Sequence, residues 1–370
     1  MEEETNSIVL AGGGTGGHLY PALAVADELK RRDPGTAIVF VGARRGLEQR
    51  LVPRAGYPLV TLSLAGLKGS SLGGKTIAAA WAGWAVARCL LWMVRRRPAL
   101  VIGVGGYASG PAVAAAKLVR TKTMVLEQNH FPGATNRWLA PRVDAVCLPS
   151  EAARRHIGGR TFVTGTPVRR EFFEICDPPL GEEPSLLVFG GSRGARSINR
   201  AMIEALPALA AARGPMSIVH QTGRDDETEV RAAYAASPHP HEICAFLDDM
   251  PGRLACAGLV VCRAGASTLA ELCAAGRPAI LVPYPHAADD HQRRNAATLT
   301  EAGAAVLLTD PELDGERLAA AITELRGDRE RRLSMARAAR SLAKPDATRE
   351  IADLARSLID GSLEPAGRAA

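Results

Sequence analysis

Gly12-Gly13-Gly14-Thr15-Gly16-Gly17 is the first stretch of this chain whose residue types could do chemistry. It follows the apolar run Ser7–Ala11 and precedes Leu19, Ala22, Leu23 and Ala26, which stand at helical spacing. Glycines let a backbone come close to phosphate, and a helix start adds N–H groups and positive potential. A dinucleotide enzyme would also want an acid at the end of the second strand, but Ala37–Gly42 runs into Ala43-Arg44-Arg45. An NADP-type site using those arginines and a plain tight turn remain the other two readings. His18, directly after the glycines, is placed as a general base; a helix-start histidine satisfied by backbone is its alternative. Glu127-Gln128-Asn129 ends an apolar run, so its polar groups either face a ligand or, for Asn129, cap a helix.

The second half repeats the pattern. Ser192 sits in Gly190-Gly191-Ser192-Arg193-Gly194-Ala195, another anion-shaped turn. Cys262 to Glu271 again runs from strand to helix start, with Glu271 one turn inside. There a carboxylate either accepts two sugar hydroxyls or serves as a first-turn acid against the helix dipole. Polar groups then gather between Pro283 and Asn295; His286, Asp289, Asp290 and His291 hint at a metal, but no second cluster completes a site and no D-x-D pair occurs. Gly69-Ser70-Ser71-Leu72-Gly73-Gly74-Lys75-Thr76 matches the P-loop spelling. The downstream strand ends lack the Asp that would organise Mg²⁺, so a basic surface loop is preferred. No metal and no cofactor are expected.

These residues need parallel strands to hold them. Ser7–Ala11, Ala37–Gly42, Ala99–Val104, Thr123–Gln128 and Asp144–Pro149 read as buried strands separated by Ala-rich helical stretches. The series restarts with Ser185–Gly190, Met216–Gln221, Leu259–Cys262, Ala279–Tyr284 and Ala304–Thr309. Prolines and acids interrupt it between Glu171 and Pro184. The expected fold is therefore α/β, with two Rossmann-like domains, 1–168 and 169–345, whose parallel sheets face each other across a cleft. A last helix, about 346–362, is expected to return to the first domain.

Composition bounds the function. The 370 residues are 47% hydrophobic and 23% charged with a mean hydropathy of 0.00, which excludes a largely disordered chain and a polytopic membrane protein. A net charge of +6 suits an anionic ligand or membrane surface and does not demand nucleic acid. The seven cysteines (Cys89, Cys147, Cys176, Cys244, Cys256, Cys262, Cys273) show no C-x-x-C pair, and the N-terminus lacks a signal-peptide pattern, so a cytosolic chain is expected. One stretch challenges that: Ile77 to Val94 is apolar except for Arg88, with Lys75, Arg95, Arg96 and Arg97 flanking it. It reads either as a buried helix or as a helix on a membrane surface, with Trp81, Trp84 and Trp92 down and arginines to the phosphates. An arginine near its middle argues against spanning.

The segments AGGGTGGHLYPALAVADEL, GVGGYASGP, EQNHFPGATN, TGTPVRR, FGGSRGARSIN, FLDDM, VVCRAGASTLAELCAAGRPAILVPYPHAADDHQRRNA and KPDAT carry a resemblance over nearly the whole length. The chain resembles the lipid I N-acetylglucosaminyltransferases of bacterial peptidoglycan synthesis, in glycosyltransferase family 28. The resemblance implies a GT-B fold, with the acceptor held mainly by the first domain and UDP-N-acetylglucosamine mainly by the second. It implies donor contacts at Thr15, Gly16, Gly17, Asn129, Arg169, Ser192 and Gln292, with Leu247 beside uracil. The turn of Ala266, Ser267, Thr268 and Leu269 would cradle the diphosphate, and Glu271 would hold the ribose hydroxyls. His18 matches the general base. Glu127, grouped with it as catalytic, and Gly105, Gly106 and Tyr107 match the acceptor side. Ile77, Trp81 and Trp84 match the patch that docks on the membrane.

The implied reaction is inverting transfer of N-acetylglucosamine to the 4-hydroxyl of the N-acetylmuramyl sugar of lipid I, giving lipid II and UDP. The implied place is the cytoplasmic face of the inner membrane, held peripherally through an anionic surface, with other cell-wall synthesis enzymes as partners. The chain departs from the family's usual pattern at Leu126 (usually His), Thr166 (usually Asn) and Arg193 (usually Gln). Three other readings stay open: a glucosyltransferase of the same architecture, an NADP oxidoreductase, and a membrane-associated scaffold without activity.

Overall fold

The computed structural model describes residues 7–44, 46–62, 72–106, 108–177, 183–192 and 194–363, with residues 72–80 described by backbone alone. The chain divides into two units, residues 1–169 with 346–370 and residues 170–345.

The first unit carries strands β1 (Ser7–Ala11), β2 (Ala37–Ala43), β3 (Leu59–Leu62), β4 (Leu100–Gly103), β5 (Lys122–Leu126), β6 (Ala145–Leu148) and β7 (Thr161–Val163). They form one parallel sheet in the order β3-β2-β1-β4-β5-β6-β7. Helices α1 (Gly16–Arg32), α2 (Glu48–Arg54), α3 (Leu72–Arg96), α4 (Ser109–Leu118) and α5 (Ala134–Leu139) connect them. Because β1, β4 and β6 are buried along their length, their residues are apolar on both faces. Ile8, Leu10, Ile38, Phe40, Ile102 and Met124 face one layer, with α1 and the helix Ala347–Ile359. Val9, Ala11, Val41, Val101, Val125 and Val146 face the other, with Cys89 and Met93 of α3 and Ala112, Val113 and Ala116 of α4.

The second unit carries β8 (Leu186–Phe189), β9 (Ile218–Gln221), β10 (His241–Cys244), β11 (Leu259–Cys262), β12 (Ala279–Leu281) and β13 (Ala305–Leu307), parallel in the order β10-β9-β8-β11-β12-β13. In both sheets the strand order reverses once, between β1 and β4 and between β8 and β11. The loops leaving those neighbours go to opposite faces, and the crevice between them is where open α/β sheets bind ligands.

Three strands went unread in the sequence: β3, β7 and β10. Each lies at an edge of its sheet, is short and is only partly buried, so none shows the continuous apolar run of a central strand. Helix α3 divides the tryptophan stretch into a buried and an exposed face. Ala85, Cys89 and Met93 are buried, and Trp92 is half-buried against the core, which corrects its grouping with the surface tryptophans. Trp81, Trp84, Leu91 and Val94 are exposed, and the Arg88 guanidinium lies over the Trp84 ring at 5.5 Å. Among the described residues no helix is long and apolar enough to cross a membrane. Tyr107, Arg193 and Gly69 to Ser71 lie outside the described residues, as do the side chains of Lys75 and Ile77.

Candidate active site

In the first unit, β1 and β4 each run into glycines of positive φ: Gly12 (149°), Gly13 (133°) and Gly14 (88°) after β1, Gly105 (91°) and Gly106 (79°) after β4. The two loops touch backbone to backbone. A Cβ on Gly12 would overlap the Gly105 carbonyl, and one on Gly106 would overlap that of Gly13. The glycines are there for this approach as much as for any ligand. Their N–H groups are spent within the protein: Gly12 donates to Val41 O (2.9 Å), Gly13 to Gly105 O (3.3 Å) and Gly14 to Glu48 Oε2 (2.9 Å). Glu48 is buried, and its other oxygen accepts from Ala43 N at 2.9 Å. A built-in carboxylate thus holds one side of the loop. Thr15, Gly16 and Gly17, at the start of α1, follow with no side-chain cap from Thr15.

His18 stands in the first turn of α1, half-buried, with its ring on Gly105: a Cβ there would come within 2.7 Å of Nδ1 and Cε1. Its Nδ1 lies 3.2 Å from Gln128 Oε1, and Gln128 Nε2 donates to Val104 O at 3.2 Å. Glu127 points elsewhere. It is buried and accepts from Asn129 N (2.9 Å), Asn129 Nδ2 (3.1 Å), Gly133 N (2.9 Å) and Asn136 Nδ2 (2.9 Å). Both oxygens are engaged in shaping the loop between β5 and α5. Arg169 lays its guanidinium over the Tyr20 ring at 5.0 Å. His130, bonded to Ser150 Oγ at 2.9 Å, is held below the usual imidazole range by burial.

In the second unit, the loop after β8 carries half-buried Ser192 between Gly191 (φ 99°) and Gly194 (φ 77°). Gln221, buried at the end of β9, donates to Gly191 O (2.7 Å) and accepts from Leu247 N (3.0 Å). One side chain therefore fixes the loops that carry Ser192 and Leu247. After β11, the helix Ala266–Ala275 starts from an extended Gly265. Ser267 and Leu269 are buried, so Leu269 offers backbone only, while Thr268 and Glu271, three apart on one helix face, are half-buried. Arg263 is buried and donates to Val282 O (3.2 Å), Pro283 O (3.1 Å), Ser197 Oγ (2.7 Å) and Asp310 Oδ1, tying three loops together. Gln292 accepts from Tyr284 N at 2.9 Å, which leaves its Nε2 as the donating end. Among the described residues no three His, Cys, Asp or Glu side chains gather as a metal would require.

Glu48, Gln221 and Arg263 were not singled out from sequence. Their signals were faint but present: a glutamate shortly after Gly42 and Gly46, a glutamine closing an apolar run, and an arginine directly after one.

Residues 8–148 match the glycosyltransferase family 28 N-terminal domain, and residues 185–351 match the family's C-terminal domain. The chain belongs to glycosyltransferase family 28. Family members similar to it along their length include the UDP-N-acetylglucosamine--N-acetylmuramyl-(pentapeptide) pyrophosphoryl-undecaprenol N-acetylglucosamine transferase of Syntrophotalea carbinolica. That protein is 47% identical over 359 residues, covering 95% of this chain and 98% of the relative. The transferase of the same name from an Anaeromyxobacter species is 45% identical, covering 95% and 93%. The crystal structure of Acinetobacter baumannii MurG superposes with a TM-score of 0.73 at 30% identity, over 95% of this chain and 99% of that one. The fold is GT-B, as in that family 28 structure.

Proposed function

We propose that this chain transfers N-acetylglucosamine from UDP-N-acetylglucosamine to the 4-hydroxyl of the N-acetylmuramyl sugar of lipid I, releasing UDP and giving lipid II. The observation that carries this reading is the 47% identity along 95% of the chain, end to end with a transferase of that name. The geometry supplies the chemistry. His18 takes the proton as the acceptor oxygen attacks the anomeric carbon. The bond from that carbon to the diphosphate oxygen breaks, its electrons leave with UDP, and the configuration inverts. In the second unit the N-terminus of the helix Ala266–Ala275 offers backbone N–H groups and positive potential to the departing diphosphate. Glu271 accepts from the ribose hydroxyls, Leu247 packs beside uracil, and Ser192 and the Nε2 of Gln292 donate to the donor. In the first unit the N–H groups of Thr15, Gly16 and Gly17 meet an anionic substrate group, and Asn129, Arg169, Gly105, Gly106 and Tyr107 complete the contacts.

The polyprenyl tail of the acceptor stays in the bilayer, so the protein works at the membrane surface. Trp81, Trp84, Leu91 and Val94 of α3, with Arg88 and the basic end Arg95 and Arg96, form a face suited to an anionic leaflet. We place it, peripherally bound, on the cytoplasmic side of the inner membrane.

The test is UDP release by the purified protein given UDP-N-acetylglucosamine, with and without a short-chain lipid I analogue, in the presence of EDTA. Release that requires the acceptor and falls about 100-fold or more in His18→Ala supports the reading. Folded protein that releases no UDP with that pair refutes it.

A further inference from the structure

We propose that Gln128 is a positioning residue that fixes His18 as the tautomer protonated on Nδ1, leaving the Nε2 lone pair as the base; this rests on the transferase reading above. Val104 O, at the end of β4, can only accept, so the end of Gln128 that lies 3.2 Å from it is the amide NH₂. The other end is then Oε1, which can also only accept, and it lies 3.2 Å from His18 Nδ1. The hydrogen bond exists only if Nδ1 carries the proton. A neutral imidazole has one N–H, so Nε2 is left bare.

The assembly has little freedom to do otherwise. Gln128 is 2% exposed, so turning its amide over would set its NH₂ against His18 and its oxygen against the Val104 carbonyl with no water to compensate. The histidine ring rests on Gly105, where any side chain would displace it. The carboxylates of the surrounding loops are committed elsewhere: Glu127 to Asn129, Gly133 and Asn136, and Glu48 to Gly14 and Ala43. The Arg169 guanidinium lies over the Tyr20 ring. A neutral amide therefore orients the ring. Free histidine in water favours the opposite tautomer, so the preference is one the protein imposes.

The test has a spectroscopic arm and a kinetic arm. Long-range ¹H–¹⁵N spectra of the full chain, ¹⁵N-labelled at histidine and unliganded at a pH where the ring is neutral, read the tautomer directly. The His18 signals among the eight histidines are assigned by their loss in His18→Asn. A pyrrole-type Nδ1 and a pyridine-type Nε2 are expected. Gln128→Met, which keeps the volume and removes the acceptor, should return the ring toward Nε2–H and lower kcat about tenfold, with the KM for UDP-N-acetylglucosamine unchanged. Gln128→Glu restores an acceptor, so it should keep Nδ1–H, recover kcat relative to the Met variant and move the acid limb of the kcat/KM profile to higher pH. Wild-type protein protonated on Nε2 overturns the proposal, as does a Gln128→Met protein that retains both tautomer and kcat. Should that variant not fold, an unshifted acid limb in Gln128→Glu overturns it instead. An Nδ1–H ring in protein that releases no UDP would sink the transferase reading while leaving the tautomer assignment standing.

Discussion

The carboxylate of Glu48 accepts from the backbone N–H of Gly14 at 2.9 Å and, through its second oxygen, from that of Ala43 at the same distance. The glycine loop after β1 is thereby anchored from beneath by an anion belonging to the protein. Gly42, Gly46 and Gly13 all lack side chains where Glu48 packs: a Cβ on Gly42 would lie 2.7 Å from its Cγ and one on Gly13 2.9 Å from its Cδ. Replacing Glu48 with Ala removes the acceptor of two part-buried donors and opens a void, so a loss of about 1–3 kcal/mol in stability is expected from urea unfolding. Glu48→Gln keeps the shape but can satisfy only one of those donors with its single oxygen, and should cost about half as much. Because the loop precedes His18, kcat should fall in both variants in the same order as stability. A Glu48→Ala protein as stable as wild type would refute the anchoring role.

Most of the fold was legible because its central strands are buried on both faces and so read as unbroken apolar runs, as in Leu259–Cys262. The edges were not, since His241–Cys244 is mostly open to solvent and carries a histidine and a glutamate. Within the site the residues at the strand ends were legible by position: His18, Ser192 and Glu271 each follow a strand and a glycine. Direction was not legible. Nothing in Glu127-Gln128-Asn129 says that the glutamate turns into its own loop while the glutamine reaches His18; that is decided by Gly133 and Asn136 a few residues on and by Val104 from the end of β4. Sequence likewise could not tell that Gly14 would be met by a carboxylate 34 residues away.

Gln221 is the corresponding link in the second unit, joining Gly191 O to Leu247 N. Gln221→Met removes both bonds while filling the space; the buried Leu247 N–H loses its partner, whereas Gly191 O keeps the bond from Gly194 N. The expected cost is about 1–3 kcal/mol in stability. The loops bearing Ser192 and Leu247 should loosen together, raising the KM for UDP-N-acetylglucosamine about tenfold with a smaller change in kcat. Initial-rate kinetics with donor varied at saturating acceptor check this; a fall in kcat with KM untouched would assign Gln221 to the chemical step instead.

The C-terminal helix is tied to α1 by charge. Asp33 accepts from Arg356 Nη2 (2.8 Å), Thr36 Oγ1 (2.8 Å) and Gly35 N (3.0 Å), and the Arg356 guanidinium first among these lowers its carboxyl from 3.8 to about 2. A carboxyl with a lowered folded value binds its proton more readily when unfolded. Its contribution is therefore complete above about pH 4 and is lost as pH falls toward 2. The site is open to solvent, so the contribution is modest and weakens with salt. Asp33→Asn should be less stable than wild type at pH 6 and indistinguishable from it at pH 2, as read by thermal unfolding at low ionic strength. A difference that persists unchanged at pH 2 would mean that shape, not charge, accounts for the effect.

Trp81 and Trp84 are 42% and 45% exposed, with ring centroids 5.9 Å apart, and Arg88 lies over the second. Large apolar side chains held in water beside a cation are costly unless a surface covers them. If each buries on the order of 100 Å² of apolar area in a bilayer interface at about 25 cal/mol per Å², the pair supplies several kcal/mol at most. Trp81→Ser with Trp84→Ser should then weaken binding to anionic vesicles by about tenfold or more in co-sedimentation, with raised salt weakening wild-type binding through the arginines. Turnover of a short-chain, water-soluble acceptor should be nearly unchanged, because the buried face of α3, with Ala85, Cys89 and Met93, is untouched. Should turnover of that soluble acceptor collapse along with vesicle binding, the tryptophans would be supporting the fold, and the membrane-facing assignment of α3 would fail.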